Sequence, residues 1–237
     1  MAGLAYQRVM LKLSGEALAG ERGFGIDFSV VDALTDEIRA VHSMGISLAM
    51  VIGGGNILRG ATLSQEGMDR VSADYMGMLS TVINALALQD ILERKQVETR
   101  VMTAIRMEEL AEPYIRRRAQ RHLEKGRAVF LAGGTGNPYF STDTAAVLRA
   151  LEIEADLLIK ATNVNGIYAA DPKLHPDAEF IPEISYQEAM VRGLEVMDSN
   201  AFALCKDNKL PIIVMNVNQN GAIGRVLQGE RVGTIVC

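Results

Sequence analysis

The sequence predicts an α/β fold: a three-layer α/β/α sandwich around a mostly parallel sheet. Runs rich in Val, Ile and Leu alternate with amphipathic helical patterns almost throughout the chain, the order that builds βαβ units with helices on both sheet faces. Three glycine-rich turns each follow an apolar run directly: Lys12-Leu13-Ser14-Gly15, Val51-Ile52-Gly53-Gly54-Gly55-Asn56 and Leu131-Ala132-Gly133-Gly134-Thr135-Gly136-Asn137-Pro138. At 237 residues, 49% hydrophobic and 22% charged, the chain is long enough for one large α/β domain or two closely packed lobes.

Tyr6 to Leu13 reads as the first strand. A helix follows from Ser29, where Ser29 and Asp32 form an S-x-x-D start and Val31, Leu34, Ile38 and Val41 recur at helical spacing. Gly45 ends it, and Ile46 to Ile52 is the next strand. A long helix rich in Met and Ala covers Val71 to Arg94, with Met68, Met76 and Met78 reading as core filler. Val97 to Met102 is a strand. The basic segment Tyr114 to Arg127 is a helix with Arg117, Arg118, Arg121 and Lys125 on one face and Ile115, Ala119 and Leu123 on another. That basic face is either a solvated surface or an anion site. Strand Arg127 to Leu131, helix Thr142 to Ile153 capped by Ser141 or Thr142, and strand Asp156 to Ala161 complete the regular part. A Pro/Asp-rich stretch (Asp171 to Pro182), two short helices and strands at Pro211 to Asn216 and Val232 to Val236 follow. The whole, residues 1–237, reads as one domain with a soft lobe boundary near residue 150.

Composition excludes several classes. No window approaches the 18 or more apolar residues of a membrane span, and no secretory leader is recognisable. Cys205 and Cys237 make no disulfide framework, which fits a reducing cytoplasm. His42, His122 and His175 are scattered, so no residue is assigned to a resident metal. A metal is expected only as magnesium accompanying a nucleotide. Net charge of −5 and only 5% aromatic residues argue against a nucleic-acid partner.

Ligands of such sheets bind at the carboxyl ends of the strands, where all three glycine turns fall. Backbone N–H groups gathered there form anion sites. There is no G-x-x-x-x-G-K-[ST], no G-x-G-x-x-G with an acidic partner downstream, and no protein-kinase signature loop. What stands at the strand ends is Lys12, Arg59, Asp143 and Lys160. Two lysines, an arginine and a carboxylate suit phosphoryl transfer, which needs alignment and cations more than covalent help. Asp143 reads either as a helix cap or as the group orienting both lysines. Asp74, in an apolar helix, needs a partner for its carboxylate.

These residues resemble the amino acid kinase family, and within it the bacterial uridylate (UMP) kinases. The resemblance runs nearly end to end, on Lys12 to Ala17, Gly23 to Asp27, Val51 to Asn56 with Arg59-Gly60, Gly134 to Pro138, Thr142-Asp143, and Ala161-Thr162 with Gly166 and Ala170-Asp171-Pro172. It implies the amino acid kinase fold and reversible transfer of the ATP γ-phosphoryl group to UMP, in line and without a general base, in pyrimidine nucleotide biosynthesis. Carried over by position, Lys12, Leu13, Ser14, Gly15, Gly55, Arg59, Thr162, Asn163, Tyr168 and Asp171 match the ATP site. Gly54, Asp74, Thr135, Gly136, Asn137, Pro138, Tyr139, Phe140, Ser141 and Thr142 match the UMP site. Asn163 stands where many relatives carry lysine. The loop Gly20, Glu21, Arg22, Gly23, Phe24 and Gly25, with Arg100 and Arg127, matches a region tied to GTP activation. UTP inhibition and a homohexamer are likewise implied by the resemblance alone. The alternatives are a related kinase of a carboxylate or carbamate, and a non-catalytic nucleotide sensor or storage protein on the same scaffold.

Overall fold

The computed structural model describes residues 4–58, 60–65, 67–172, 174–194 and 196–237. The N-terminal half runs β1 (Arg8–Leu13), α1 (Phe28–Ser43), β2 (Ser47–Ile52), α2 (Gly60–Gln65), α3 (Arg70–Arg94), β3 (Thr99–Thr103), β4 (Glu112–Pro113), α4 (Arg116–Glu124) and β5 (Ala128–Ala132). The rest runs α5 (Thr142–Glu152), β6 (Leu157–Thr162), β7 (Ile167–Tyr168), β8 (Phe180–Ile181), β9 (Glu183–Ile184), α6 (Tyr186–Val191), α7 (Ser199–Asn208), β10 (Ile212–Asn216), α8 (Ala222–Leu227) and β11 (Thr234–Val236). Among the described residues, nine strands form one sheet in the order β4-β3-β5-β2-β1-β6-β10-β11-β9, and β7-β8 form a separate hairpin. Every pair in the large sheet is parallel except β10–β11.

Strands covered on both faces read as unbroken apolar runs, because neither set of alternate side chains meets water. In β1, Val9, Leu11 and Leu13 pack into one core with α1, α3 and α8, while Met10 enters the other with α4, α5, α6 and α7. Lys12 shares the parity of Met10 and so projects to the α5 side. Across the β1–β6 ladder, Lys12 is the register partner of Lys160.

Three local expectations are corrected. The α1 cap is Asp27, whose carboxylate accepts from Ser29 N at 3.0 Å, so the helix starts ahead of Ser29. Ile115 is 48% exposed because it caps α4 from outside the helical phase, while Ala119 and Leu123 are buried. The third concerns α3, which is long and apolar enough to cross a bilayer by length and composition, contrary to the expectation that no segment is. In the fold it is a layer helix: Val82, Ala85, Leu88, Ile91 and Leu92 pack on the sheet. Its outer side leaves Tyr75, Met76, Leu79 and Ile83 exposed, and of Met68, Met76 and Met78, expected as core filler, only Met78 is buried.

On the basic face of α4, Arg118 pairs with Glu112 and Arg121 with Glu124, and beside that face Arg116 pairs with Glu154. Their side chains are roughly half exposed.

Candidate active site

Two register-paired lysines on one face of adjacent strands would repel each other across a strand spacing of about 4.8 Å. The fold resolves this with α5, whose first turn lies over that face. Ser141 caps α5 by accepting from Asp143 N (3.0 Å) and Thr144 N (3.1 Å), which fixes Asp143 at the positive end of the helix dipole. Lys160 Nζ donates to Asp143 Oδ2 at 2.7 Å and to Val196 O at 2.6 Å. Lys12 Nζ lies 2.8 Å from Oδ1 in an ion pair, off the angle of a hydrogen bond. All three side chains are nearly buried, at 11%, 13% and 16% exposure for Lys12, Asp143 and Lys160.

Burial is the largest single influence on Asp143 and opposes its charge, but the combined attraction of Lys12 and Lys160 outweighs it and holds the carboxyl below its usual range. For Lys160, burial and the neighbouring Lys12 outweigh Asp143 and lower the ammonium from its ordinary value. Of the two readings of Asp143, the helix cap is corrected, because Ser141 is the cap of α5 and the Asp143 carboxylate is turned instead to Lys12 and Lys160. Each of its two oxygens faces one ammonium group.

The glycine turns surround this centre. Gly53 N donates to Leu13 O (3.0 Å), joining the first two turns. A Cβ on Gly15 would stand 2.5 Å from Gly53 O, so no side chain fits between them. In the third turn Gly133 takes φ +77°, and a Cβ there would meet Thr103 Oγ1 at 2.7 Å.

A cavity of about 460 Å³ is lined by Glu16, Gly54, Gly55, Asp74, Gly134, Phe140, Ser141 and Thr142, among others. Asp74 Oδ2 accepts from Tyr139 N and from Arg70 Nε, both at 2.8 Å, and Arg70 lies 5.5 Å from the centre of the Tyr139 ring. The carboxylate expected to need a partner therefore has two protein ones, and it also faces the cavity. Thr135 and Asn137 bond to each other across the turn, with Asn137 N donating to Thr135 Oγ1 at 3.1 Å. Gly136 and Pro138 complete that loop.

Two further neighbouring cavities share Lys160, Gly193 and Leu194. One, of about 560 Å³, is lined by Lys160, Thr162, Gly166, Tyr168, Asp171 and Arg192, among others. The other, of about 580 Å³, is lined by Asp143, Lys160, Met190, Asp198 and Phe202, among others. Tyr168 is held edge-on to Phe180 at 5.4 Å across the β7–β8 hairpin. Thr162 Oγ1 donates to Val164 O (2.9 Å) and accepts from Val164 N (3.1 Å), shaping the turn after β6. Asn163 is exposed in that turn and is not among the lining residues. Leu13 belongs to the core of the opposite sheet face, so only its backbone is available to a ligand on this side.

Arg59 lies outside the described residues. The residues matched to an effector site do not meet within one chain. Gly20 to Gly25 follows β1 at the carboxyl end of the sheet, where Gly25 N donates to Asn56 O (2.7 Å), Arg22 pairs with Asp27, and Phe24 is exposed. Arg100 and Arg127 stand at the amino ends of β3 and β5, at the opposite end of the sheet. There Glu98 Oε1 accepts from Arg100 Nη2 (3.0 Å) and Arg127 Nε (2.7 Å).

Sequence reasoning missed Asp198. Its carboxylate caps α7 through Ala201 N (2.9 Å) and accepts from Thr144 Oγ1 (2.9 Å) and from Ser141 Oγ, so it braces the helix end that carries Asp143. An acidic residue ahead of a helical pattern signals a cap, but nothing local signals the reach back to α5.

The amino acid kinase family model matches residues 7–216. The structure is similar to that of UMP kinase from Bacillus anthracis, with a TM-score of 0.94 and 40% identity over 98% of this chain and 96% of that one. UMP kinase from Ureaplasma parvum gives 0.91 and 36%, covering 97% and 98%. Uridylate kinase from Archaeoglobus fulgidus gives 0.74 and 27%, covering 97% and 99%.

Proposed function

Because the chain belongs to the amino acid kinase family, we propose that it transfers the γ-phosphoryl group of ATP to UMP, giving ADP and UDP. The observation that carries this reading is the Lys12–Asp143–Lys160 bridge and the cavities next to it: Ser141 and Thr142, just before Asp143, line the cavity that holds Asp74, and Lys160 lines both of the others. UMP takes the first cavity, beside Gly54, Asp74 and the Thr135 to Thr142 stretch. ATP takes the other two, with Tyr168 against the base and Thr162 and Asp171 near the ribose and phosphates. In this arrangement residues before about 150 supply mainly the acceptor side and those after it mainly the ATP side, with Lys12 to Gly15, Gly55 and Arg59 reaching ATP from the first lobe.

Asp143 orients the two ammonium groups, and these neutralise charge on the migrating phosphoryl group. That is electrostatic preorganisation in a nearly dry site, where a fixed donor is worth more than in water. No base is required, since a phosphate monoester with a second pKa of about 6 is already anionic at neutral pH. Magnesium enters with ATP. When bound with ATP it would supply further positive charge on the phosphates; among the described residues no group of three or more His, Cys, Asp or Glu could hold a metal ion.

Regulation by GTP and UTP, a homohexamer, a role in pyrimidine nucleotide synthesis and a cytoplasmic location belong to the same proposal. The exposed apolar stripe of α3 (Tyr75, Met76, Leu79 and Ile83) supports self-association. An effector site made of both the Gly20 to Gly25 loop and the Arg100–Arg127 pair requires neighbouring copies. ADP release with UMP, CMP, aspartate and acetylglutamate as acceptors tests the reading. Turnover with UMP supports it; turnover with an amino acid alone assigns the protein to a carboxylate kinase, and tight nucleotide binding without ADP release to a sensor.

A further inference from the structure

Helix α3 holds more of the site than Asp74. Asp74, Thr81 and Asn84 are separated by seven and three residues and so share one stripe of the helix. Thr81 and Asn84 are buried, and each side chain binds a glycine turn from elsewhere in the chain. The Thr81 hydroxyl accepts from Gly133 N (2.8 Å) and donates to Met78 O (2.7 Å). Asn84 Nδ2 donates to Gly53 O (2.8 Å) and to Asn56 Oδ1 (2.7 Å), while its Oδ1 accepts from Asn56 Nδ2 (3.0 Å). Asn56 in turn donates to Gly25 O (2.7 Å).

Thr and Asn are poor choices for a helix interior on propensity, and burying their polar atoms is unfavourable unless every bond is made. Here the bonds are made, and both lead to turns whose backbone must be aimed at a ligand. Glycine turns are conformationally permissive, so their rigidity has to come from outside. A 25-residue helix packed on the sheet supplies it.

We propose that Thr81 and Asn84 are positioning residues for phosphoryl transfer, with Thr81 setting the third turn against the acceptor and Asn84 setting the second turn. The proposal rests on the UMP kinase reading above. The Thr81 hydroxyl bonds the third turn, matched to UMP, and Thr81 otherwise meets Gly54 and the cavity proposed for UMP, whereas the turn held by Asn84 contains both Gly54 and Gly55, matched to UMP and ATP respectively. The two residues therefore have different kinetic signatures.

The test is steady-state kinetics on the full chain, varying UMP and ATP separately, beside a thermal midpoint for each variant. Thr81→Val keeps the shape and removes the hydroxyl. It should raise KM for UMP about tenfold, the scale of one net hydrogen bond, with KM for ATP within about twofold. Thr81→Ser, which keeps the hydroxyl, should return KM for UMP to within about threefold of wild type. Asn84→Asp, which removes two donors, should raise both KM values. An unchanged KM for UMP in Thr81→Val overturns the proposal. So does a fall in kcat alone with both KM values at wild type, which reports only a smaller folded fraction. Wild-type protein that phosphorylates no UMP in the same assay defeats the functional reading, and the proposal falls with it; active wild type beside an indifferent Thr81→Val defeats the proposal alone.

Discussion

Replacing Asp143 by Asn removes one charge and almost no volume, and it leaves two nearly buried ammonium groups facing each other. Lys12 and Lys160 are register partners on adjacent parallel strands. At a separation of about 5 Å and an effective dielectric constant of about 20, their repulsion is roughly 3 kcal/mol. Removing one member of a buried ion pair costs about 3–5 kcal/mol in general, and the two estimates agree in scale. Since a domain's whole stability is about 5–15 kcal/mol, Asp143→Asn should be visibly destabilised in urea titrations without ligand. Saturating ATP should recover more stability in the variant than in wild type, because the triphosphate replaces the missing anion. Turnover should fall by about two to three decades as the lysines lose their orientation. A variant within about 1 kcal/mol of wild type that keeps full turnover would refute the idea that this carboxylate organises the lysines.

The same group sets an acid dependence. Its folded carboxyl lies below the usual range, so its contribution is complete above the unfolded value of about 3.9 and is lost as pH falls through the lower folded value. The stability gap between wild type and Asp143→Asn should therefore narrow below about pH 4; a gap independent of pH would contradict the linkage. Lys12→Met should lower kcat by about two to three decades while leaving the fold intact, read by coupled ADP release and circular dichroism. Asp74→Asn loses the charge that holds Tyr139 N and Arg70, and should raise KM for UMP more than it lowers kcat. Tyr168→Ala removes the ring packed on Phe180, and should raise KM for ATP with KM for UMP unchanged.

The central strands were legible because burial on both faces writes itself as an apolar run, and β1, β2, β5, β6 and β10 all do so. The two-residue strands β4, β7, β8 and β9 were not, since a period of two cannot be counted over two residues. Helices α2 and α8, at six residues each, are also below the length at which helical spacing repeats. At the α1 start, Asp27 and Ser29 are both capping types two residues apart, and only the side chain that reaches Ser29 N distinguishes them. Lys12, Asp143 and Lys160 stood out because a charge at the end of an apolar strand, or in the first turn after a glycine loop, is anomalous against its surroundings. Asp198, Thr81 and Asn84 carry no such anomaly. Their partners lie about thirty to fifty-seven residues away, and only tertiary packing brings them together. The apolar character of α3 was underestimated, because polar residues interrupt its apolar run while its mean hydropathy over 18 residues still matches a membrane span.

A crystal structure with UMP and an unreactive ATP analogue bound together tests the central claim most directly. The γ-phosphate should lie within hydrogen-bonding reach of Lys12 Nζ and Lys160 Nζ, facing the UMP phosphate across the N-terminus of α5. A complex in which either phosphate chain sits away from those two lysines, with Asp143 still bridging them, would contradict it.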